Sequence, residues 1–389
     1  MRVLFLTREF PPNSVGGIAK HILWLSDNLS RLGITCKVLS YGDPSDSNDM
    51  VTFITPESSL SPGKVRLRDN LMILRDIRRI DKIADDLLKK EEFDIIHVED
   101  PYLGPFLQSP RVVTTVHDTS VGELHSMIHN VHTIVDVKYS VFFASLGPIL
   151  ERLTLSRTRK IIAVSKHIKN ELAKYYFIPF NKIKVIPNGV VVPSILSKYG
   201  AKKKLGFSAD NVVILSVSRL IPRKRLDILI RALELLTQNG INNFTAIICG
   251  DGPQKLFLQN LVRKKNLSEK VKIKGWVSEE LLRLYYEAAD IFALTSEYEG
   301  HPISLLEALA YNDASVCSDI PSVMLTDGID VLKFRCGNPE ELSQKLELLI
   351  RRPDLRHTIA RAGMKVVRQF EWQKVASETR EVYEELRGE

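Results

Sequence analysis

Short apolar runs alternate with amphipathic stretches along the whole chain, and that alternation leaves few folds open. Residues 3–6, VLFL, read as a short buried strand running to Thr7. The loop REFPPNSVGGIAKH follows, then helical spacing from Ile18 to Leu32, a stop at Gly33, and a second apolar run from Cys36 to Ser40. Strand, Gly-rich loop, helix, strand is one βαβ unit of a doubly wound α/β sheet. Further strands are predicted at Phe93–Val98, Arg111–Val116, Lys160–Val164 and Lys184–Ile186, then at 212–217, 244–249, 271–274, 291–295 and 314–317. The run ILRDIRRIDKIADDLLKK has apolar residues at helical spacing, so it reads as an amphipathic helix rather than a binding patch. At 389 residues the chain exceeds one ordinary core, so two domains are expected. The turn PNG at 187–189 and the polar, Lys-rich stretch 193–210, read as a linker, divide them. The predicted domains are 1–193 and 194–370, with a terminal segment, 371–389, that carries an amphipathic helix from Trp372 to Leu386.

Hydrophobic content of 44% and charged content of 26% are those of a soluble globular protein. Cys36, Cys249, Cys317 and Cys336 are scattered without a C-x-x-C pair, which predicts free thiols in a reducing compartment. The opening VLFL is too short for a signal peptide, with Arg8 and Glu9 close behind, and no apolar run is long enough to span a bilayer. A cytoplasmic protein is expected. Residues 151–206 hold thirteen Lys or Arg against Glu151 and Glu171, an excess of +11 within a chain of net charge +7. Beside the apolar run YSVFFASLGPIL at 139–150, such a block fits peripheral docking on an anionic membrane, attraction of phosphorylated acceptors, or a solvated basic face. No nucleic-acid recognition motif accompanies the charge.

The most informative stretch is TSEYEGHPISLLEALA, residues 295–310. Pro302 suits the first position of a helix running to about Ala310. The N–H groups of Ile303, Ser304 and Leu305 then make an anion site. Glu299 precedes that site, and Glu307 projects from the helix a little over one turn in. Spacing alone also fits an ordinary capped helix with surface glutamates. A second motif, LSVSRLIPRKRLDILIRA at 215–232, places Arg219 after a strand and Lys224 five residues later, before a helix.

Together these motifs resemble the signature of the family 4 glycosyltransferases, retaining enzymes of the glycogen-synthase-like superfamily. The resemblance implies a GT-B fold, two Rossmann-like doubly wound domains facing a central cleft, with the last helix crossing back to the first domain. It implies an N-terminal acceptor domain and a C-terminal donor domain that takes a nucleotide sugar, without a further cofactor. By the resemblance Arg219 and Lys224 clamp the donor diphosphate with the helix N-terminus, replacing a metal ion. Glu299 then holds sugar hydroxyls and Glu307 the ribose, with His301 beside them. Gly252 in the turn Gly250-Asp251-Gly252-Pro253, and Trp276 and Val277 after another strand, match positions lining the base. Trp276 reads equally as core, the commoner fate of a lone tryptophan. Gly16 and Gly17 open the first helix and face donor and acceptor by the resemblance; they do not form G-x-G-x-x-G, which argues against nicotinamide or flavin.

In the first half, TTVHD at 114–118 closes a strand. His117 matches the family's active-site histidine, which approaches the transferred sugar, and Asp118 faces the acceptor. Transfer would follow a front-face route in which the departing diphosphate helps take the acceptor proton. No D-x-D metal pair is needed, and Asp43, Asp46 and Asp49 read as a solvated loop. His125, His129 and His132 recur at helical spacing but lack the usual zinc partners. The chain departs from the family pattern at Arg225, where glycine is common, which puts extra charge beside the phosphates. It departs again at Tyr311-Asn312-Asp313-Ala314, where Asn312 must supply a left-handed cap. The expected activity is hexosyl transfer to a glycan or lipid-linked acceptor. The rival readings are a sugar-nucleotide epimerase, a glycosidase working through Glu299 and Glu307, and a non-catalytic nucleotide-sugar-binding protein.

Overall fold

The structure is a computed structural model that describes residues 1–13, 16–56, 69–91, 93–127, 144–194 and 197–388. It divides into two compact units. The first holds the described residues up to Gly189 together with Trp372–Gly388; the second holds those of Val190–Glu371.

The first unit is built on a seven-stranded sheet. Its strands are β1 (Arg2–Leu6), β2 (Thr35–Tyr41), β3 (Val51–Ile54), β4 (Ile95–Val98), β5 (Val112–Val116), β6 (Lys160–Ala163) and β7 (Ile183–Val185). They run parallel in the order β3-β2-β1-β4-β5-β6-β7. β4 and β5 are buried at every residue, as strands covered on both faces by helices must be. Helix Gly17–Arg31 buries Ala19, Ile22, Leu25 and Leu29 against this sheet, and Gly33 at φ +79° ends the turn that stops it. Helix Trp372–Gly388 packs on the same core through Val375, Ala376, Val382 and Tyr383. Gly189 lies against its start: a Cβ there would meet the Trp372 indole at 2.3 Å.

The second unit repeats the plan with β8 (Val212–Val217), β9 (Phe244–Cys249), β10 (Val271–Gly275), β11 (Ile291–Leu294), β12 (Ala314–Ser318) and β13 (Leu332–Phe334). The parallel order is β10-β9-β8-β11-β12-β13. In both sheets the strand order reverses beside the first strand, at β1/β4 and at β8/β11. Carboxyl ends at such switch points are where this architecture presents functional groups.

The stretch expected to be a linker is part of the second unit. Helix Lys198–Lys204 forms there, capped by Ser197, whose hydroxyl accepts from the Gly200 N–H at 3.1 Å. Lys202 is buried and lies 2.6 Å from Asp290, and Lys198 donates to the fully buried Asp313 at 3.1 Å. A polar sequence therefore conceals two inward-facing ion pairs. The basic block 151–206 is thinned accordingly. Lys160 pairs with Glu385 and Lys184 with Glu381, while Lys169 and Lys182 donate to backbone carbonyls. Asn312 adopts φ +60°, the cap conformation its position requires.

Candidate active site

In the second unit the loops after β8 and β11 are sewn together. The Glu297 N–H donates to the Arg223 carbonyl at 2.8 Å, and the Thr295 hydroxyl to the Lys224 carbonyl at 2.7 Å. This brings the two sequence motifs into one cluster. Lys224 Nζ lies 2.6 Å from Glu299 Oε1, and the Ser296 hydroxyl donates to that oxygen at 2.6 Å. Arg223, buried, donates to the Tyr298 carbonyl at 2.9 Å and stands 3.9 Å from Glu299 Oε2. Burial would push the Glu299 carboxyl up; Lys224, Arg223 and the two hydrogen bonds outweigh it and hold it below its ordinary value. Arg219 stands exposed just past β8.

The backbone of Ser218–Leu220 explains the glycines of the GDGP turn. A Cβ on Gly250 would meet the Ser218 carbonyl oxygen at 1.9 Å, and one on Gly252 the Leu220 oxygen at 2.6 Å. Both also have positive φ, +134° and +157°. Leu220 N–H donates to Asp251 at 2.9 Å, closing the contact. Glycine at these two positions lets the loop after β9 press on the loop that carries Arg219.

Helix Ile303–Ala310 begins one residue later than its sequence indicates. Pro302 is the extended N-cap, at φ −74° and ψ 102°, rather than the first helical residue. The Leu305 N–H is already spent on the Pro302 carbonyl at 3.1 Å. Ile303 and Ser304 are therefore the N–H groups that precede the first intrahelical bond. Glu307 accepts from Tyr286 at 2.8 Å, and the Tyr286 ring stacks on Tyr311 at 5.3 Å and 9°. Tyr286 is delivered by helix Glu279–Ala288, whose N-cap Ser278 accepts from the Leu281 N–H. His301 is buried edge-on to Phe370 at 5.3 Å, and burial lowers its imidazole to about 4. Trp276 is 63% exposed, so the core reading fails, and Val277 packs partly into the core. Arg225 does not add charge beside a phosphate site: two carboxylates, Glu297 and Asp227, enclose its guanidinium.

In the first unit the central strands place another cluster. Glu99 follows β4 and His117 follows β5, so adjacent strand ends bring them side by side. His117 Nε2 lies 3.0 Å from Glu99 Oε2. Helix Gly17–Arg31 adds His21, whose Nε2 is 3.7 Å from the same oxygen and whose ring sits edge-on to His117 at 4.7 Å. His97 Nε2 is 3.4 Å from Glu99 Oε1 and 2.7 Å from Thr115 Oγ1, and its Nδ1 is 2.6 Å from the Tyr383 hydroxyl. Burial pushes the Glu99 carboxyl up, but the three imidazoles outweigh that and keep it ionised. His21, Glu99 and His117 bring one donor atom each to within 4.8 Å of one another, a set able to hold a metal ion. Gly16 is the extended N-cap of the first helix, where a Cβ would meet the Glu9 carboxylate at 2.4 Å; Gly17 is exposed and Asp118 half-buried. His125 is exposed, its Nδ1 3.0 Å from the Val121 carbonyl, while His129, His132 and residues 139–143 lie outside the described residues.

Sequence reasoning missed Arg223, Ser296, Tyr286, Glu99, His21 and Tyr383. Glu99 carried a signal, a carboxylate directly after a buried strand, as His117 did. Tyr383 carried none, being one residue of an amphipathic helix almost three hundred positions from His97.

The chain matches two family models in succession. Residues 15–192 match Glycosyltransferase Family 4, and residues 199–366 match Glycosyl transferases group 1. An uncharacterized glycosyltransferase of Methanocaldococcus jannaschii is 25% identical over 98% of both chains. The UDP-Gal:alpha-D-GlcNAc-diphosphoundecaprenol alpha-1,3-galactosyltransferase of Escherichia coli is 25% identical over 64% of each. Sucrose-phosphate synthase from Thermosynechococcus elongatus superposes with a TM-score of 0.82 at 17% identity, covering 99% of this chain and 98% of its own. The two units carry the paired modules of one enzyme class on a GT-B fold, and the chain belongs to the family 4 glycosyltransferases.

Proposed function

We propose that this hexosyltransferase moves a sugar, with retention and without a metal ion, from a nucleotide sugar to a glycan or lipid-linked hydroxyl. The observation that carries this reading is the Lys224–Glu299 pair at the β8/β11 switch point, reinforced by Arg223. Lys224 and exposed Arg219 neutralise the diphosphate as it departs, with the Ile303 and Ser304 N–H groups adding dipolar support. Glu299 holds sugar hydroxyls and Glu307 the ribose. Trp276 and the Gly252 turn flank the base. From the first unit, His117 takes a hydroxyl of the transferred sugar, and Gly16, Gly17 and Asp118 serve the diphosphate and acceptor. The departing phosphate oxygen receives the acceptor proton.

The donor is tested by thermal shift against UDP-, GDP- and ADP-sugars, since a ligand bound only by the folded state raises the melting point. Nuclear magnetic resonance of the product then reads its anomeric configuration. Inversion, or epimerised donor without release of free nucleotide, would overturn the reading.

A lipid-linked acceptor is supported by the diphosphoundecaprenol-linked substrate for which the Escherichia coli relative is named and by one surface of the first unit. Ile149 and Leu153 lie exposed one turn apart on helix Leu146–Arg157. The Arg152 guanidinium sits 5.8 Å over the ring of exposed Phe177, and Lys169 Nζ 5.3 Å over exposed Phe180. Apolar side chains flanked by cations suit an anionic leaflet. No helix among the described residues is long and apolar enough to cross a membrane, so docking would be peripheral.

A further inference from the structure

Glu99 is completely buried, and it sits against imidazoles rather than in a surface ion pair. A carboxylate taken out of water is costly unless its partners are well placed. Its partners here are not equivalent. His97 is already engaged at both nitrogens, by the Tyr383 hydroxyl at 2.6 Å and Thr115 Oγ1 at 2.7 Å. His21 stands off at 3.7 Å. Only His117 meets Glu99 at hydrogen-bond distance, 3.0 Å from Nε2 to Oε2.

An ionised carboxylate accepts hydrogen bonds and donates none. His117 must therefore carry its proton on Nε2, and a neutral ring then has its lone pair on Nδ1. We propose that Glu99 is a positioning residue that fixes His117 as the Nε2–H tautomer, so that Nδ1 can only accept a hydrogen bond from a substrate hydroxyl. His97, clamped between Thr115 and Tyr383, approaches the far oxygen of the carboxylate at 3.4 Å, and that oxygen has no hydrogen-bond partner among the described residues. The sugar group facing His117 must then be a hydroxyl able to donate; a fluoro or methoxy group at that position finds no donor. The inference rests on the placement of His117 at the transferred sugar.

The test labels the histidines of the full chain with nitrogen-15 and reads each ring's tautomer from long-range proton–nitrogen correlations, with His117 assigned by its loss in His117→Ala. The wild-type spectrum should show His117 as Nε2–H. Glu99→Gln, whose carboxamide can donate as well as accept, should let the Nδ1–H form appear. It should also lower kcat about 10- to 100-fold with donor KM little changed, the scale of losing an orienting partner. Glu99→Asp, which keeps the carboxylate, should recover part of that loss. An Nδ1–H tautomer in the wild type, or a Glu99→Gln enzyme with wild-type kcat, overturns the proposal. So does a stoichiometric zinc ion in the purified wild type, lost in Glu99→Gln, which would make His21, Glu99 and His117 a metal site. The tautomer is read without turnover. A chain inactive with every nucleotide sugar but with His117 as Nε2–H would sink the functional reading and leave the orientation standing.

Discussion

Lys224 and Glu299 form one ion pair, 2.6 Å from ammonium to carboxylate, and Ser296 donates to the same carboxylate oxygen. Their side chains are 11% and 9% exposed, whereas Arg219 is exposed. The two cations proposed for the diphosphate should therefore answer differently to removal.

Arg219→Ala and Lys224→Ala should each raise the barrier by about 2–4 kcal/mol, the scale for losing a group that meets developing charge. Only Lys224→Ala should also lower the melting point, because it leaves Glu299 buried with Arg223 as its remaining cation. A stability loss of about 1–3 kcal/mol is expected. Steady-state kinetics and thermal melts on both variants check this. Equal melting points would mean that the pair contributes nothing to folding.

Tyr286→Phe removes the hydrogen bond to Glu307 and keeps the ring on Tyr311. If Glu307 holds the ribose in ground and transition state alike, donor KM should rise roughly 5- to 10-fold while kcat stays near wild type. A fall in kcat with unchanged KM would place Glu307 elsewhere in the reaction.

Glu151 supplies a pH signature. It is buried, accepts from the Ser120 N–H at 3.0 Å through both oxygens and from the Tyr176 hydroxyl, and burial pushes its carboxyl up to about 8. Between its ordinary 4.5 and 8 the folded chain keeps a proton that the unfolded chain has released. Folding stability should therefore fall as pH rises through that window. Glu151→Gln cannot lose a proton, so its stability relative to wild type should rise over the same window, by on the order of a few kcal/mol at most. Denaturant melts at intervals of pH read the difference directly, and parallel curves for the two proteins would show that Glu151 is ionised throughout.

Activity should persist in EDTA, because Lys224, Arg219 and the helix N–H groups take the place of a divalent ion in the proposed mechanism. Assays with chelator, and with magnesium or manganese restored, decide it. Activity abolished by EDTA and recovered with metal would refute the metal-free route.

Phe177 and Phe180 test the lipid surface. Phe177 is 74% exposed at φ +57°, so asparagine, which tolerates that conformation, is the substitution that isolates the lost ring. Phe177→Asn combined with Phe180→Ser should fold as well as wild type and lose most co-sedimentation with anionic vesicles. Wild-type binding should weaken with salt. Wild-type protein that ignores anionic vesicles at low salt would make a soluble glycan the better acceptor.

Much of the architecture was legible because buried parallel strands announce themselves as apolar runs. The strands without such a run were missed: β3 is VTFI and β13 is LKF, too short to stand out from their surroundings. Helix Lys198–Lys204 hid for the opposite reason. Its sequence KYGAKKK reads as solvated, and only Asp290 and Asp313, about a hundred residues on, turn Lys202 and Lys198 inward. At the candidate site the motif residues Lys224 and Glu299 do meet. Arg225 could not be judged from its neighbours in sequence, because Glu297, which balances it, comes from a different loop. Local pattern names the charged residues; which partner neutralises each is a property of the tertiary structure.

The seating of Trp372 against Gly189 and of Tyr383 against His97 has a consequence for how this protein is made. The first unit owns both strands β1–β7 and helix Trp372–Gly388, so its core cannot close until the ribosome has delivered everything between them. The described residues of the second unit, Val190–Glu371, are all synthesised before the helix that closes the first. The imidazole cluster beside His117 can therefore be sealed only when helix Trp372–Gly388 has left the exit tunnel. A nascent chain arrested before that point would carry a finished second unit and an unfinished first.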